Sequence, residues 1–238
     1  MSQININCDV GEGLNNESQI MPYIQACNIA CGAHAGDEQT MNTVIDLAIL
    51  HNVKIGAHPS YPDKINFGRK SIIISDDKLI LSIQQQMNAI LKIIQMKHTE
   101  LHHIKPHGAL YNDIAKCESL SLVFLEAIKS FKNKAYLYVP FNSEVERQAL
   151  KNGFQIKYEA FADRNYNDDL SLVSRTLENA LLTDVDVIEN HILLMLNKQK
   201  VKTVANNEKH IMADTFCVHS DTKNAIEIVK QLHKKFSI

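Results

Sequence analysis

The sequence predicts an α/β protein in which parallel strands are joined by crossover helices, and three observations predict it. Short apolar segments alternate with amphipathic ones from end to end, the pattern of a repeated β-α unit. Seven of the eight glycines, Gly11, Gly13, Gly32, Gly36, Gly56, Gly68 and Gly108, nearly all follow a proposed strand, where the chain must turn sharply or approach a ligand closely. Residues able to do acid–base chemistry gather at the same strand ends.

Strands are expected at 3–8, 26–31, 53–57, 101–105, 135–139, 155–159 and 213–218. Between them, Met41, Val44, Ile45 and Ala48 share one face of a helix over 38–51. Leu79, Ile83, Met87, Ile90 and Ile94 do the same over 77–97. Leu120, Phe124, Ala127 and Phe131 mark a third helix, and Ser143 with Glu146 forms a capping box that starts another at about residue 144. Helical spacing continues over 171–182 and 185–198, and Ala225, Val229, Leu232 and Phe236 line a last helix at 221–236. At 238 residues such a frame commonly forms one domain, expected over 1–238.

Apolar residues make up 45% of the chain and charged residues 22%, ordinary usage for a folded protein. The 25 basic and 27 acidic residues nearly cancel, and no basic run is interleaved with aromatics, so no nucleic-acid partner is expected. No apolar run approaches the roughly 20 residues of a membrane span. The first twenty residues include Asp9 and Glu12 rather than a continuous apolar run, and the expected setting is the cytoplasm. Five cysteines, an odd number, do not form a secreted disulfide framework. Cys27 and Cys31 in one strand would stand roughly 13 Å apart, too far for one ion, and they are read, with Cys8 and Cys217, as buried structural thiols.

Reading each strand end in turn gives Asn7, Asp9 and Glu12, then Asn28, His34 and Asp37, then His58, Asp63 and Arg69. Lys105 and His107 follow the fourth strand, Glu159, Asp163 and Arg164 the sixth, and His219 and Asp221 the seventh. Active sites of parallel α/β folds form at the carboxyl ends of the strands, so these residues are expected to converge. Plainer readings exist for some of them. Asp37 and Asp221 suit helix caps, and Asp163 with Arg164 suits a surface ion pair. His34, His58, His107 and His219 share one position relative to a strand end, whereas the other seven histidines, including 102, 103 and 191, read as solvated or structural. No Gly-rich loop ends in Gly-Lys-Ser or Gly-Lys-Thr, and no Gly-x-Ser-x-Gly elbow exists.

Seven segments carry a family resemblance: Asn7–Gly13, Asn28–Asp37, Gly56–Asp63, Phe67–Arg69, Lys105–Asn112, Glu159–Tyr166 and Cys217–Asp221. In this order they closely resemble the LamB/YcsF family over nearly the whole chain. The chain departs from the family pattern at Glu38, Asn66, Lys70 and Ser220, where proline, glycine, arginine and glycine are usual. The resemblance implies an irregular seven-stranded β/α barrel similar to polysaccharide deacetylases. It also implies a component of an ATP-dependent 5-oxoprolinase, which with two further subunits opens 5-oxo-L-proline to L-glutamate.

On that expectation Asp9, Glu12, His34, His58, Lys105 and His107 are the catalytic candidates. Asn28, Asp37, Arg69, Glu159, Asp163, Arg164 and His219 are the substrate-binding ones. ATP serves as co-substrate, and without a phosphate cradle in the sequence it is expected to be bound with the partner subunits. The main alternative is a metal-dependent amide or acetyl hydrolase, with Asp9, His34 and His58 or His107 holding a divalent ion. No metal set is assigned from the sequence, which has neither His-Glu-x-x-His nor a close His-x-x-x-His pair. A scaffolding component without chemistry of its own is the remaining reading.

Overall fold

The computed structural model describes residues 4–236 and is a closed barrel of seven parallel strands wrapped by helices. The barrel strands are β1 (Ile6–Val10), β2 (Ala26–Ala30), β3 (Lys54–His58), β4 (His103–Ile104), β5 (Tyr136–Pro140), β6 (Ile156–Phe161) and β9 (Thr215–Cys217). They pair in chain order, and β9 closes the ring between β6 and β1. All seven overlap the expected strands, within a few residues at each end. Gln3, the first residue expected in a strand, lies outside the described residues.

The helices that cover the barrel follow the apolar stripes. α2 (Glu38–Leu50) buries Met41, Val44, Ile45 and Ala48, and α3 (Asp76–Met96) buries Leu79, Ile83, Met87, Ile90 and Ile94. α5 (Glu118–Ala127) ends in a short 3₁₀ turn at Lys129–Phe131. α6 (Glu144–Lys151) opens with both hydrogen bonds of the Ser143/Glu146 capping box. α7 (Val185–Lys198) and α8 (Ala225–Phe236) complete the set. Among the described residues, no helix is long and apolar enough to cross a membrane.

Three elements depart from the sequence reading. Residues 171–182 do not form a helix: Leu172 and Leu181 make isolated bridges to Tyr166 and Arg164. The carbonyls of Val173 and Ala180 that a helix would use internally instead accept from the Arg164 guanidinium, at 2.5 and 3.3 Å. Two short helices, α1 (Glu17–Ile20) and α4 (Gly108–Ile114), stand where the sequence reading assigned no element. A hairpin of β7 (Lys200–Lys202) and β8 (Glu208–His210) adds a small antiparallel sheet outside the barrel.

The barrel interior is polar, whereas such interiors are commonly filled by Val, Ile and Leu. Side chains alternate along a strand, so Asn7 and Asp9, Gly56 and His58, and His103 and Lys105 point inward in pairs. Asn7 donates to Thr215 Oγ1 (2.8 Å), and Asn28 donates to Asn7 Oδ1 (2.7 Å) and Asp9 Oδ1 (2.8 Å). His103 Nε2 donates to Asn28 Oδ1 (2.7 Å), and its ring stacks on Tyr138 at 4.0 Å. His103 is therefore structural, the second of the two readings open for it. Gly56 makes room for it: a Cβ there would stand 2.1 Å from His103 Nε2.

His191, on α7, is likewise buried, beside the Tyr166 ring and with Nε2 unpaired among the described residues. Burial pushes its pKa down to about 4. Between about pH 6.5 and pH 4 the unfolded chain binds a proton at this site and the folded one does not. Stability is therefore expected to fall across that window as pH is lowered, on the order of 3 kcal/mol for this group. Urea denaturation at pH 7 and pH 5 should show a smaller drop for His191→Phe than for the unmodified chain; equal drops would contradict the assignment.

Candidate active site

The carboxyl ends of the strands bring most of the sequence-identified residues together around Lys105. Its ammonium group is buried, 2.8 Å from Asp9 Oδ1 and 2.9 Å from Glu159 Oε1, and it also donates to Cys217 Sγ at 3.1 Å. Burial alone would lower the Lys105 pKa, but the Asp9, Cys217 and Glu159 groups around it raise it well above the ordinary value. Burial would likewise raise Asp9, and the His58 ring in its protonated form, followed by Lys105, holds it well below the carboxylate range instead. Cys217, expected as a plain core thiol, is thus a contact of the central cation.

Glu159 meets Lys105 at ion-pair distance but off the hydrogen-bond angle, and neither of its oxygens has an aligned donor among the described residues. The buried Tyr111 hydroxyl is also unpaired among them. Both line a cavity of about 180 Å³ with Phe141, Phe161, Tyr166 and Leu172. It opens beside the histidines rather than over them, between the segments that follow β4, β5 and β6. Lys105 Nζ stands 5.3 Å from the centre of the Phe161 ring, which joins the two regions.

On the other side of Asp9, the loop side chains of His34 and Glu12 meet His58 and His107. His34 Nε2 and Glu12 Oε1 are 3.0 Å apart, and the His34 ring stacks on His107 at 3.8 Å. Burial lowers the pKa of both His34 and His107. The group is positioned from outside. Gln86 of α3 bonds both backbone groups of Ser60, at 2.8 and 2.9 Å, and Ser60 Oγ contacts His34 Nδ1 at 3.0 Å. Phe67 packs edge-on against His34 and His107, and its carbonyl accepts from His107 Nε2 at 2.9 Å. Phe67 and Gly68 both take left-handed backbone angles, φ 56° and 62°, to make that turn.

A third group is the pair His219 and Asp163. Asp163 is fully buried and accepts from His219 Nδ1 (2.9 Å), the His219 backbone N–H (2.9 Å) and the Thr222 hydroxyl. Burial opposes its ionisation, but His219 outweighs it and lowers the pKa. One ring nitrogen of His219 lies within 4.8 Å of both an Asp9 oxygen and Cys217 Sγ. Asp163 and Arg164 are therefore no surface ion pair: both are buried, and they face different partners.

The remaining candidates stand apart from this centre. Arg164 bonds the carbonyls of the 165–182 excursion, and exposed Asp37 caps α2 by accepting from Thr40 N at 2.7 Å. Arg69 sits at the rim, paired with Asp221 at 2.6 Å, and Asp221 also meets Arg175 at 2.9 Å rather than capping α8. Asn28, by contrast, is the register partner of Asp9 and donates to its Oδ1 inside the barrel. Ser60, Gln86, His103 and Tyr111 were not singled out in the sequence. Only His103 had a signal there: it lies two residues before Lys105 and so shares its strand face.

The Lys105 centre makes a stability prediction. Lys105→Met leaves Asp9 and Glu159 buried without their cation, and is expected to lower the unfolding free energy by about 3–5 kcal/mol. Adding Glu159→Gln should restore part of it. Denaturant titration reads both variants, and an unchanged midpoint for Lys105→Met would contradict the arrangement.

A family model described as the LamB/YcsF family matches residues 4–237. A Staphylococcus aureus protein whose name makes it one of the subunits of 5-oxoprolinase is 38% identical over 98% of this chain and 95% of its own length. The crystal structure of a lactam utilization protein from Thermus thermophilus superposes with a TM-score of 0.90 at 28% identity, covering 99% of this chain and 97% of that one. A GH113 β-1,4-mannanase matches at TM-score 0.52 and 12% identity, over 98% of this chain and 99% of its own, a likeness of fold alone.

Proposed function

The chain belongs to the LamB/YcsF family, and from that premise we propose that it is the ring-opening component of an ATP-driven 5-oxoprolinase. Two further subunits would bind ATP and activate the lactam, and 5-oxo-L-proline would leave as L-glutamate. The names of its relatives support a role in a lactam-hydrolysing, multi-subunit enzyme. One observation carries the finer reading: a buried ammonium group held by two carboxylates stands beside a buried Asp–His pair. The five free cysteines fit a reducing compartment, and the setting we assign is the cytoplasm.

A lactam is a resonance-stabilised amide whose open form re-closes easily. Phosphorylation of the amide oxygen gives an imidate that a first water can attack; the ring C–N bond then breaks with a proton passing to nitrogen, and a second water cleaves the resulting acyl phosphate to carboxylate and free phosphate. Those steps need a base, an acid and a fixed positive charge. In this reading Lys105, which stays protonated, stabilises the charge that develops on oxygen or phosphate. His219 takes the proton of water and returns one to nitrogen. Asp163, accepting from Nδ1, holds the ring so that Nε2 is the working nitrogen, as the acid does in other Asp–His pairs. The adjoining cavity, smaller than the roughly 300–1,000 Å³ of drug-sized sites, suits a compact solute.

Reconstitution tests the proposal. The chain, two partner subunits, ATP and 5-oxo-L-proline should together release glutamate and phosphate, and omission of this chain should abolish glutamate. Asp163→Asn, Asp9→Asn and His34→Ala are each expected to lower turnover by about 100-fold or more while leaving the far-UV spectrum unchanged. No glutamate from the complete set, more than about a tenth of activity in all three variants, or tight ATP binding by this chain alone would refute it.

A further inference from the structure

His58 and His107 have their outer nitrogens fixed by backbone carbonyls. His58 Nδ1 lies 2.7 Å from the Lys105 oxygen, and His107 Nε2 lies 2.9 Å from the Phe67 oxygen. A carbonyl only accepts, so both of these nitrogens carry hydrogen. In neutral rings the inner nitrogens, His58 Nε2 and His107 Nδ1, are then bare lone pairs. They face each other across 3.0 Å.

Two carboxylate oxygens enter the same space. Glu12 Oε1 stands 3.2 Å from His107 Nδ1 and 3.9 Å from His58 Nε2, and Asp9 Oδ2 stands 3.4 Å from His58 Nε2. The nearby donors are turned elsewhere. Lys105 and Asn28 both donate to the other Asp9 oxygen, Oδ1. His34 Nε2 is turned to Glu12 Oε1 at 3.0 Å, and its Nδ1 meets Ser60 Oγ, whose hydroxyl donates to the Tyr61 carbonyl. Each imidazole lone pair therefore faces the other ring and a carboxylate oxygen, with no donor directed between the two rings.

Lone pairs and anions collected at this range repel unless something positive lies between them. Around an ion with bonds of about 2.0–2.2 Å, ligand atoms subtending about 90–110° stand roughly 2.9–3.5 Å apart; three of the four spacings above fall in that interval. The outer contacts also match those of ligating histidines, which as a rule donate their second N–H to a carbonyl or carboxylate. We propose that His58 Nε2, His107 Nδ1, Glu12 Oε1 and Asp9 Oδ2 form a binding site for one divalent transition-metal ion, with His34 orienting Glu12. Two imidazoles with two carboxylates favour Zn²⁺ or Mn²⁺ over the all-oxygen cations Mg²⁺ and Ca²⁺. Bound there, the ion would polarise a carbonyl or acidify a water. The part it plays in lactam opening rests on the function proposed above; the binding itself does not.

The full-length chain, stripped with a chelator and dialysed, is titrated with ZnCl₂ and separately with MnCl₂ by calorimetry. Metal content is then measured by mass spectrometry after desalting. The expected result is one ion per chain for at least one metal, with a rise in Tm on loading. His58→Ala, His107→Ala and Glu12→Gln should each weaken binding by more than about 100-fold, beyond the roughly 10–100-fold cost of losing an outer contact. His210→Ala, far from the site, should bind as the unmodified chain does. Cobalt(II) loaded into the unmodified chain reads the site without any variant, through visible d–d bands of a nitrogen–oxygen environment. No saturable binding of either metal by the folded chain, or unchanged binding in both histidine variants, would overturn the proposal and leave a proton shared by His58 and His107 in its place. Full glutamate release by metal-free protein would remove the ion from the chemistry and leave the ring-opening reading standing.

Discussion

The ammonium group of Lys105 is the charge around which the barrel interior is organised. An isolated cation buried to this extent is strongly disfavoured, and it is tolerated here because Asp9 of β1 and Glu159 of β6 lie within 2.9 Å of it. The requirement propagates downward. Once Asp9 Oδ1 is committed to Lys105 and Asn28, Asn28 must find partners for its own oxygen, and His103, Asn7 and Thr215 follow in a chain of hydrogen bonds. Such an interior gains little from apolar burial. The hydrophobic stabilisation comes instead from the shell between barrel and helices, where Ile6, Ile29, Ile45, Leu79, Ile83 and Ile90 are buried.

The same commitment orients the chemistry above it. With Oδ1 of Asp9 occupied, Oδ2 is left for His58, and the His58 ring is fixed in turn by the carbonyl of Lys105 itself. One residue therefore holds Asp9 with its side chain and His58 with its backbone. Preorganisation of this kind holds each group in its working geometry before any ligand arrives. The helices take part at longer range: α3 reaches His34 through Gln86 and Ser60, so a residue on the outer layer helps to set an imidazole at the centre.

Much of this was legible in the sequence because periodicity and strand ends are local properties. Strand spacing placed Asp9, His58, Lys105 and Glu159 on one end of a parallel frame, and the Ser143/Glu146 box located α6 to the residue. The misreadings share a cause. The 171–182 segment has helical spacing, but its carbonyls are claimed by the Arg164 side chain, a contact that periodicity does not register. His103 reads as either solvated or structural because its partner, Asn28, lies 75 residues away. Asp221 looked like a cap because Arg69, 152 residues before it, is invisible from its neighbourhood. The groups that hold His34, among them Gln86, carry no motif of their own.

The contact between Arg69 and Asp221 ties the loop after β3 to the loop after β9, and Arg175 brings in the long excursion between β6 and β9. Two guanidinium groups share one carboxylate, so this triad carries one positive charge beyond its negative one. An anion passing close to this triad is attracted by that excess charge, and the attraction fades as salt screens it. Encounter rate, and not only affinity, thus becomes a property written into the loops.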